Sequence, residues 1–293
     1  ISGKTSMNFG GIDPEYEAIE QAAFVVVPVP YDLTTTYQGG ARKGPAAILE
    51  ASCNMELYDE ELDAETYRAG IHTVPPLEAV ASGPEGMLDR VEEAIDGVFE
   101  LGKIPVMLGG EHSITLGAVR AAVKRYPKLS VLHLDAHADM RESYQGTPYS
   151  HACIGRRMQE LCPVVQAGIR SMSVEEAAFL RKGTVPVYSA AAIRKDRTWV
   201  SKAVGHLSKD VYISVDLDAL DPSVMPATGT PEPGGMLWQD VLALIREVCR
   251  KRRVVGFDVV ELCPNDHNRA PDFLAAKLIY KFLSWCFERT PLP

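Results

Sequence analysis

No run in this 293-residue chain approaches the ~20 unbroken apolar residues that a bilayer-spanning helix needs. The longest apolar stretches, such as 22–29, are strand-sized, so no association with a membrane is expected. Cysteine is sparse and unpatterned: six residues, at 53, 153, 162, 249, 263 and 286, with no C-x-x-C pair. A chain this long needs no staples, so reduced thiols and a cytoplasmic setting are expected. There is no internal repeat and no linker rich in Ser, Gly or charge, and the 23 glycines and 20 prolines follow no period. Collagen-like and low-complexity readings therefore fail. The first residues, ISGKTSMNFGG, lack the charged start, apolar core and cleavage site of a signal peptide. Positive charge is in deficit, 30 Lys and Arg against 39 Asp and Glu, for a formal charge of −9. That balance disfavours a general nucleic-acid binder and suits a cationic ligand.

What is present is the composition of a soluble globular protein, 46% apolar and 24% charged. Short β-branched runs alternate with longer amphipathic segments. Strands are expected at 23–29, 104–108, 130–135, 164–168, 185–188, 211–216 and 254–259, with a weaker one at 71–74. Most are apolar throughout, as strands buried on both faces should be. Helices are expected at 45–57, 84–101, 113–126, 151–161, 174–182, 198–207, 237–251 and 270–287. Pro84, Ser113 and Pro271 stand near three of the helix starts. The alternation predicts one doubly wound α/β domain spanning 1–293, with 1–20 as an N-terminal extension. In such a sheet the ligand site gathers beyond the C-terminal ends of the strands.

Three apolar runs end in acid and imidazole clusters. IPVML leads into GGEHS with His112; SVLHL leads into DAHAD with Asp135, His137 and Asp139; VYISV leads into DLDALDPS with Asp216, Asp218 and Asp221. Each cluster falls where a strand should stop, so all three can meet at one sheet edge. Alternation in extended chain puts Asp135, His137 and Asp139 on one side, and likewise Asp216 with Asp218. Taken singly, each cluster is more often a turn or a helix cap than a metal site. Together they form a carboxylate-rich set that needs cations, and two metal ions can share its bridging carboxylates. The ligand mix favours Mn²⁺ over thiolate-bound zinc. His133, inside the strand, reads as structural, and Asp221 as a turn former or outer partner before Pro222.

GGEHS, LDAHADMRESYQG and SVDLDALDPSVMPATGTPEPGG, in this order and separation, resemble the ureohydrolase family of arginases and agmatinases. GGARKGPAAI at 39–48 and FDVVELCP at 257–264 resemble it too, so the likeness runs from about Val27 to Pro264. TPEPGG and the loop RESYQGTPYSHA are most similar to agmatinases. The resemblance implies a three-layer α/β/α domain around a mostly parallel eight-stranded sheet. It implies one Mn²⁺ within His112, Asp135, Asp139 and Asp216, and a second within Asp135, His137, Asp216 and Asp218. It also implies His151 beside the substrate, Glu261 paired with a guanidinium, and a homo-oligomer, commonly a trimer or hexamer.

A guanidinium resists attack by water, and two ions roughly 3.5 Å apart lower the pKa of a shared water toward neutrality. Glu261 would orient the planar cation. Asp139 would pass a proton to the leaving amine, and His151 would stabilise or shuttle protons. The activity implied first is hydrolysis of agmatine to putrescine and urea, a step of polyamine biosynthesis. Its rivals are aminopropylagmatine, guanidinobutyrate, arginine and guanidine itself. More distant readings are a metal-dependent deacetylase or amidase and a non-catalytic metal-binding protein of the same fold. Arg141 and Tyr144 either line the mouth of the site or are solvated loop residues, and Cys153 reads as packing. GGARKG lacks the ending of a P-loop and reads as a site loop or a plain turn.

Overall fold

The computed structural model describes residues 7–287. Eight strands form one sheet: β1 (Phe24–Val29), β2 (Ile71–Thr73), β3 (Ile104–Gly109), β4 (Ser130–Leu134), β5 (Val164–Ala167), β6 (Val187–Tyr188), β7 (Asp210–Asp216) and β8 (Arg253–Val260). The spatial order is β2-β1-β3-β8-β7-β4-β5-β6. Every ladder between these strands is parallel, so the expected "mostly parallel" sheet is wholly parallel. Parallel strands need crossovers, and helices supply them on both faces: α1 (Pro14–Glu17), α2 (Gly44–Ser52), α3 (Pro84–Glu100), α4 (Thr115–Arg125), α5 (Ile154–Leu161), α6 (Val174–Leu180), α7 (Ala190–Lys195), α8 (Trp199–His206), α9 (Trp238–Lys251) and α10 (Ala270–Phe287).

Two core clusters flank the sheet. One packs Met87, Leu88 and Val91 of α3, Val119 of α4 and Met158 of α5 against Val25, Val27 and Met107. The other packs α2, α8, α9 and α10 against Val26, Leu108, Ile213 and Phe257. β1, β3, β4 and β7 are buried almost throughout, which is why they read as apolar runs without alternation. The two short helices α1 and α7 were not expected; each is shorter than two turns and carries no apolar period to read. β6 shrinks to two half-buried residues at the sheet edge, because Pro186 precedes it and cannot donate to a ladder. Of the segment 1–20, residues 1–6 lie outside the described residues, as do 288–293. Within the rest, Phe9 is fully buried, its N–H donating to Thr73 Oγ1 at 3.0 Å.

The last turn of β3 explains the paired glycines of GGEHS. The chain crosses the loop after β1, Gly110 N–H donating to Val29 O at 2.9 Å and Glu111 N–H to Tyr31 O at 2.7 Å. A Cβ on Gly110 would strike the Tyr31 carbonyl. Gly110→Ala is therefore expected to cost about 3 kcal/mol, because the clash is with backbone that no rotamer can relieve. Equilibrium denaturation in urea checks it; an unchanged midpoint would remove the crossing as the reason for the glycine.

Candidate metal centre and active site

The polar clusters converge as expected at the C-terminal edge of the central strands. His112 follows β3, Asp135 follows β4, Asp216 closes β7 and Glu261 follows β8, four strands adjacent in the sheet. His112 Nδ1 lies 3.1 Å from Asp135 Oδ2, 3.2 Å from Asp216 Oδ2 and 3.7 Å from Asp139 Oδ2. His137 Nδ1 lies 2.9 Å from Asp218 Oδ2 and 3.5 Å from Asp135 Oδ1. Asp135 thus turns one oxygen to each group. Asp216 Oδ1 accepts the Asp218 N–H at 2.8 Å, which ties its second oxygen to the backbone of the next clustered acid.

Asp139 and Glu261 hold φ of +52° and +66°, a region that disfavours any side chain with a Cβ. Such strain persists only where the surroundings over-determine it, and here it aims both carboxylates at the cleft.

The charges make the same point. Burial opposes ionisation of Asp135, yet the neighbouring imidazoles of His112, His133 and His137 hold its carboxyl well below the ordinary range. Burial and the neighbouring carboxylates push Asp139 and Asp216 well above it. Burial, then the Glu111 carboxylate, pushes Glu261 up to about 8. His112 Nδ1, buried and without a hydrogen-bond partner, faces three of these carboxylates. An orphaned imidazole nitrogen among crowded acids fits divalent cations. Ligand atoms of His112, His133, Asp135 and Asp139 lie within 4.8 Å of one another, as do those of Asp135, His137 and Asp218.

His133, read from the sequence as structural, is fully buried and partners one of the clustered carboxylates. Its Nε2 lies 2.8 Å from Asp135 Oδ2, while Gln166 Nε2 donates both to Ala138 O at 2.7 Å and to His133 Nδ1 at 3.1 Å. That arrangement leaves Nε2–H to donate to Asp135. The i, i+2 spacing of His133 and Asp135 in a strand was the available signal, since residues two apart share a face. Arg170, after β5, was missed. Its guanidinium donates to the carbonyls of Asp218 and Glu232 at 2.7 and 2.6 Å, tying the loop after β7 to the TPEPGG loop. Asp221 is a turn former: it accepts from Ser223, Gly234 and Gly235 N–H groups.

His151 begins the short turn before α5 and lines the cleft with Asp139, Asp216, Asp218 and Glu261. Glu261 accepts the His112 N–H at 2.7 Å on Oε1. Beyond this inner space lies a cavity of about 270 Å³ lined by Arg141, Tyr144, Met172 and Glu176 among others. Arg141 stacks 5.1 Å over the Tyr144 ring and lies 3.8 Å from Glu176, so its charge is partly spent before any ligand arrives. Cys153 is fully buried.

Burial, and then positive charge at His112 and His137, holds His151 down to about 4 in the metal-free chain. The unfolded imidazole takes a proton below about 6.5, the folded one only below about 4, so stability falls as pH drops through that window. Between pH 7 and pH 5 the wild type should lose about 2 kcal/mol more than His151→Gln. Urea denaturation of metal-free protein at the two pH values checks this; equal losses would refute it.

Known proteins agree with this geometry. The chain is 42% identical over 273 residues to an N(1)-aminopropylagmatine ureohydrolase of Thermus thermophilus, covering 93% of this chain and 92% of that one. It is 38% identical over 285 residues to an enzyme of the same name from Synechocystis sp., covering 94% and 93%. Its fold matches the crystal structure of the agmatine ureohydrolase of Thermoplasma volcanium with a TM-score of 0.88 and 36% identity, covering 98% and 96% of the two chains. A family model described as the Arginase family matches residues 22–284. With acid and imidazole clusters meeting at the edge of a parallel eight-stranded sheet and a match over nearly its whole length, this chain belongs to the arginase family.

Proposed function

We propose that this protein is a binuclear manganese ureohydrolase that releases urea from a cationic guanidine of the agmatine type. N(1)-aminopropylagmatine is the preferred substrate and agmatine the second. One observation carries the reading: two groups of ligand atoms share Asp135, and His112, Asp139, His137 and Asp218 of those groups line one cleft with Glu261. The more identical relatives carry the aminopropylagmatine name, and the outer cavity of about 270 Å³ has room for a longer tail. The structural neighbour from Thermoplasma volcanium supports agmatine.

His112, Asp135, Asp139, Asp216, His137 and Asp218 would hold the two Mn²⁺ ions. When bound, such ions supply a water made nucleophilic at neutral pH. Glu261, its Oε1 anchored by the His112 N–H, orients the planar guanidinium and sets its central carbon over the cleft floor. Asp139 takes the proton given up by the attacking water and hands it to the leaving amine. The products are urea and the free amine.

The test is urea release by Mn²⁺-loaded protein across aminopropylagmatine, agmatine, arginine, guanidinobutyrate and guanidine. The highest kcat/KM is expected for aminopropylagmatine, with agmatine next. No urea from any of the five, with both ions shown bound, would refute the reading.

A further inference from the structure

We infer that Thr34 and Glu111 form a positioning relay that holds the His151 ring as its Nδ1–H tautomer, so that Nε2 meets the substrate as a bare hydrogen-bond acceptor. The catalytic meaning rests on the ureohydrolase reading; the tautomer itself does not.

Thr34, on the loop after β1, is buried, and Glu111 is fully buried. Glu111 is an acceptor on both oxygens. Oε2 takes the Thr34 N–H at 2.6 Å; Oε1 takes the Thr34 hydroxyl at 2.7 Å and the Ser113 hydroxyl at 2.5 Å. The single hydroxyl proton of Thr34 is therefore committed to Glu111. Its oxygen keeps two lone pairs: one accepts the His151 N–H at 3.1 Å, and the other lies 3.2 Å from His151 Nδ1. A bare Nδ1 would set lone pair against lone pair at that distance, whereas Nδ1–H makes a hydrogen bond. Ser150 Oγ, 3.3 Å from the same nitrogen, can accept a share of that proton.

On the other side of the ring, Nε2 has Thr36 Oγ1 at 3.3 Å, a hydroxyl free to donate. Tyr144 presents its ring edge-on, 6.0 Å between centroids, and leaves the ring's orientation to these three hydroxyls.

The chosen tautomer is the one a guanidinium requires. That cation is all donors, with no acceptor. An Nε2–H would oppose one donor with another; a bare Nε2 accepts a substrate N–H and turns with the substrate as Thr36 yields. No local motif marks Thr34, because it stands 77 residues from Glu111 and 117 from His151.

The test is ¹⁵N NMR of histidine-labelled protein loaded with diamagnetic Mg²⁺, the His151 signals assigned by their loss in His151→Gln. In the wild type, Nδ1 should read as protonated and Nε2 as bare. Thr34→Val should erase or reverse that pattern and lower kcat/KM for the best guanidine by on the order of 10- to 100-fold. Thr34→Ser should restore both. If Thr34→Val does not fold, Glu111→Gln serves, since its amide N–H must face one of Thr34's two donors and weaken the same bias. A wild-type signal with the proton on Nε2 overturns the inference. So does an unchanged ring pattern in a folded Thr34→Val or Glu111→Gln protein. A wild-type ring pattern as expected, with no urea from any guanidine, keeps the tautomer and removes the ureohydrolase reading.

Discussion

Asp135→Ala is expected to give a folded chain that retains neither ion and releases urea on the order of 10³-fold more slowly, or worse. Asp135 is the residue on which both ligand groups depend: Oδ2 faces His112 at 3.1 Å and Oδ1 faces His137 at 3.5 Å. Loss of a partner that merely orients a ligand costs roughly 10- to 100-fold. Loss of a carboxylate shared by two cations removes a ligand from each and one of the four negative charges that keep them adjacent. It also frees the His133 Nε2 donor, which then points at nothing. Metal analysis after dialysis should find fewer than one ion per chain, and the urea assay should show the fall. A variant holding two ions with wild-type turnover would take Asp135 out of the ligand set.

Glu261→Gln separates binding of the cation from binding of the metals. The wild-type carboxylate is 8% exposed and shares its buried surroundings with Glu111. Burial and then the Glu111 carboxylate push its pKa up to about 8, because that place lacks a positive charge. A guanidinium supplies one. The neutral amide is nearly isosteric and can still accept the His112 N–H through its carbonyl, so the loop after β8 should keep its shape. What it loses is the charge opposite a buried cation. Breaking such a pair costs about 3–5 kcal/mol, which corresponds to a fall in kcat/KM of roughly 10²- to 10⁴-fold. The metal content should stay at the wild-type value. If kcat/KM falls less than about tenfold, the guanidinium is held elsewhere in the cleft.

The centre of this site could be read from residues in the chain because its side chains sit at strand ends. An apolar run that stops at Asp135 or Asp216 announces both the strand and the ligand, since the same burial that makes the strand apolar makes the acid costly. The all-parallel sheet was visible for a similar reason, in runs such as FVVVPV that alternate nowhere. Thr34, Glu111 and Gln166 were not legible. Their importance lies in which donor meets which acceptor across 33 to 117 residues, and no local spacing encodes that. Arg170 hides likewise, because its partners are backbone carbonyls, which every residue has. His133 read as structural, and its parity with Asp135 shows which carboxylate it supports. Helices α1 and α7 escaped because they are too short for a period to show.

The place of β8 bears on how the protein is made. Among the described residues it is the last strand in sequence, yet it lies between β3 and β7. A nascent chain that has completed β7 owns two partial sheets, β2-β1-β3 and β7-β4-β5-β6, each with an open edge and only Arg253–Val260 able to join them. His112 stays on one piece and Asp135, Asp216 and Asp218 on the other until that strand leaves the ribosome. Translation that stops before residue 253 therefore produces no smaller enzyme. It produces two bare templates for pairing with other chains, and the cell must shield them until β8 arrives.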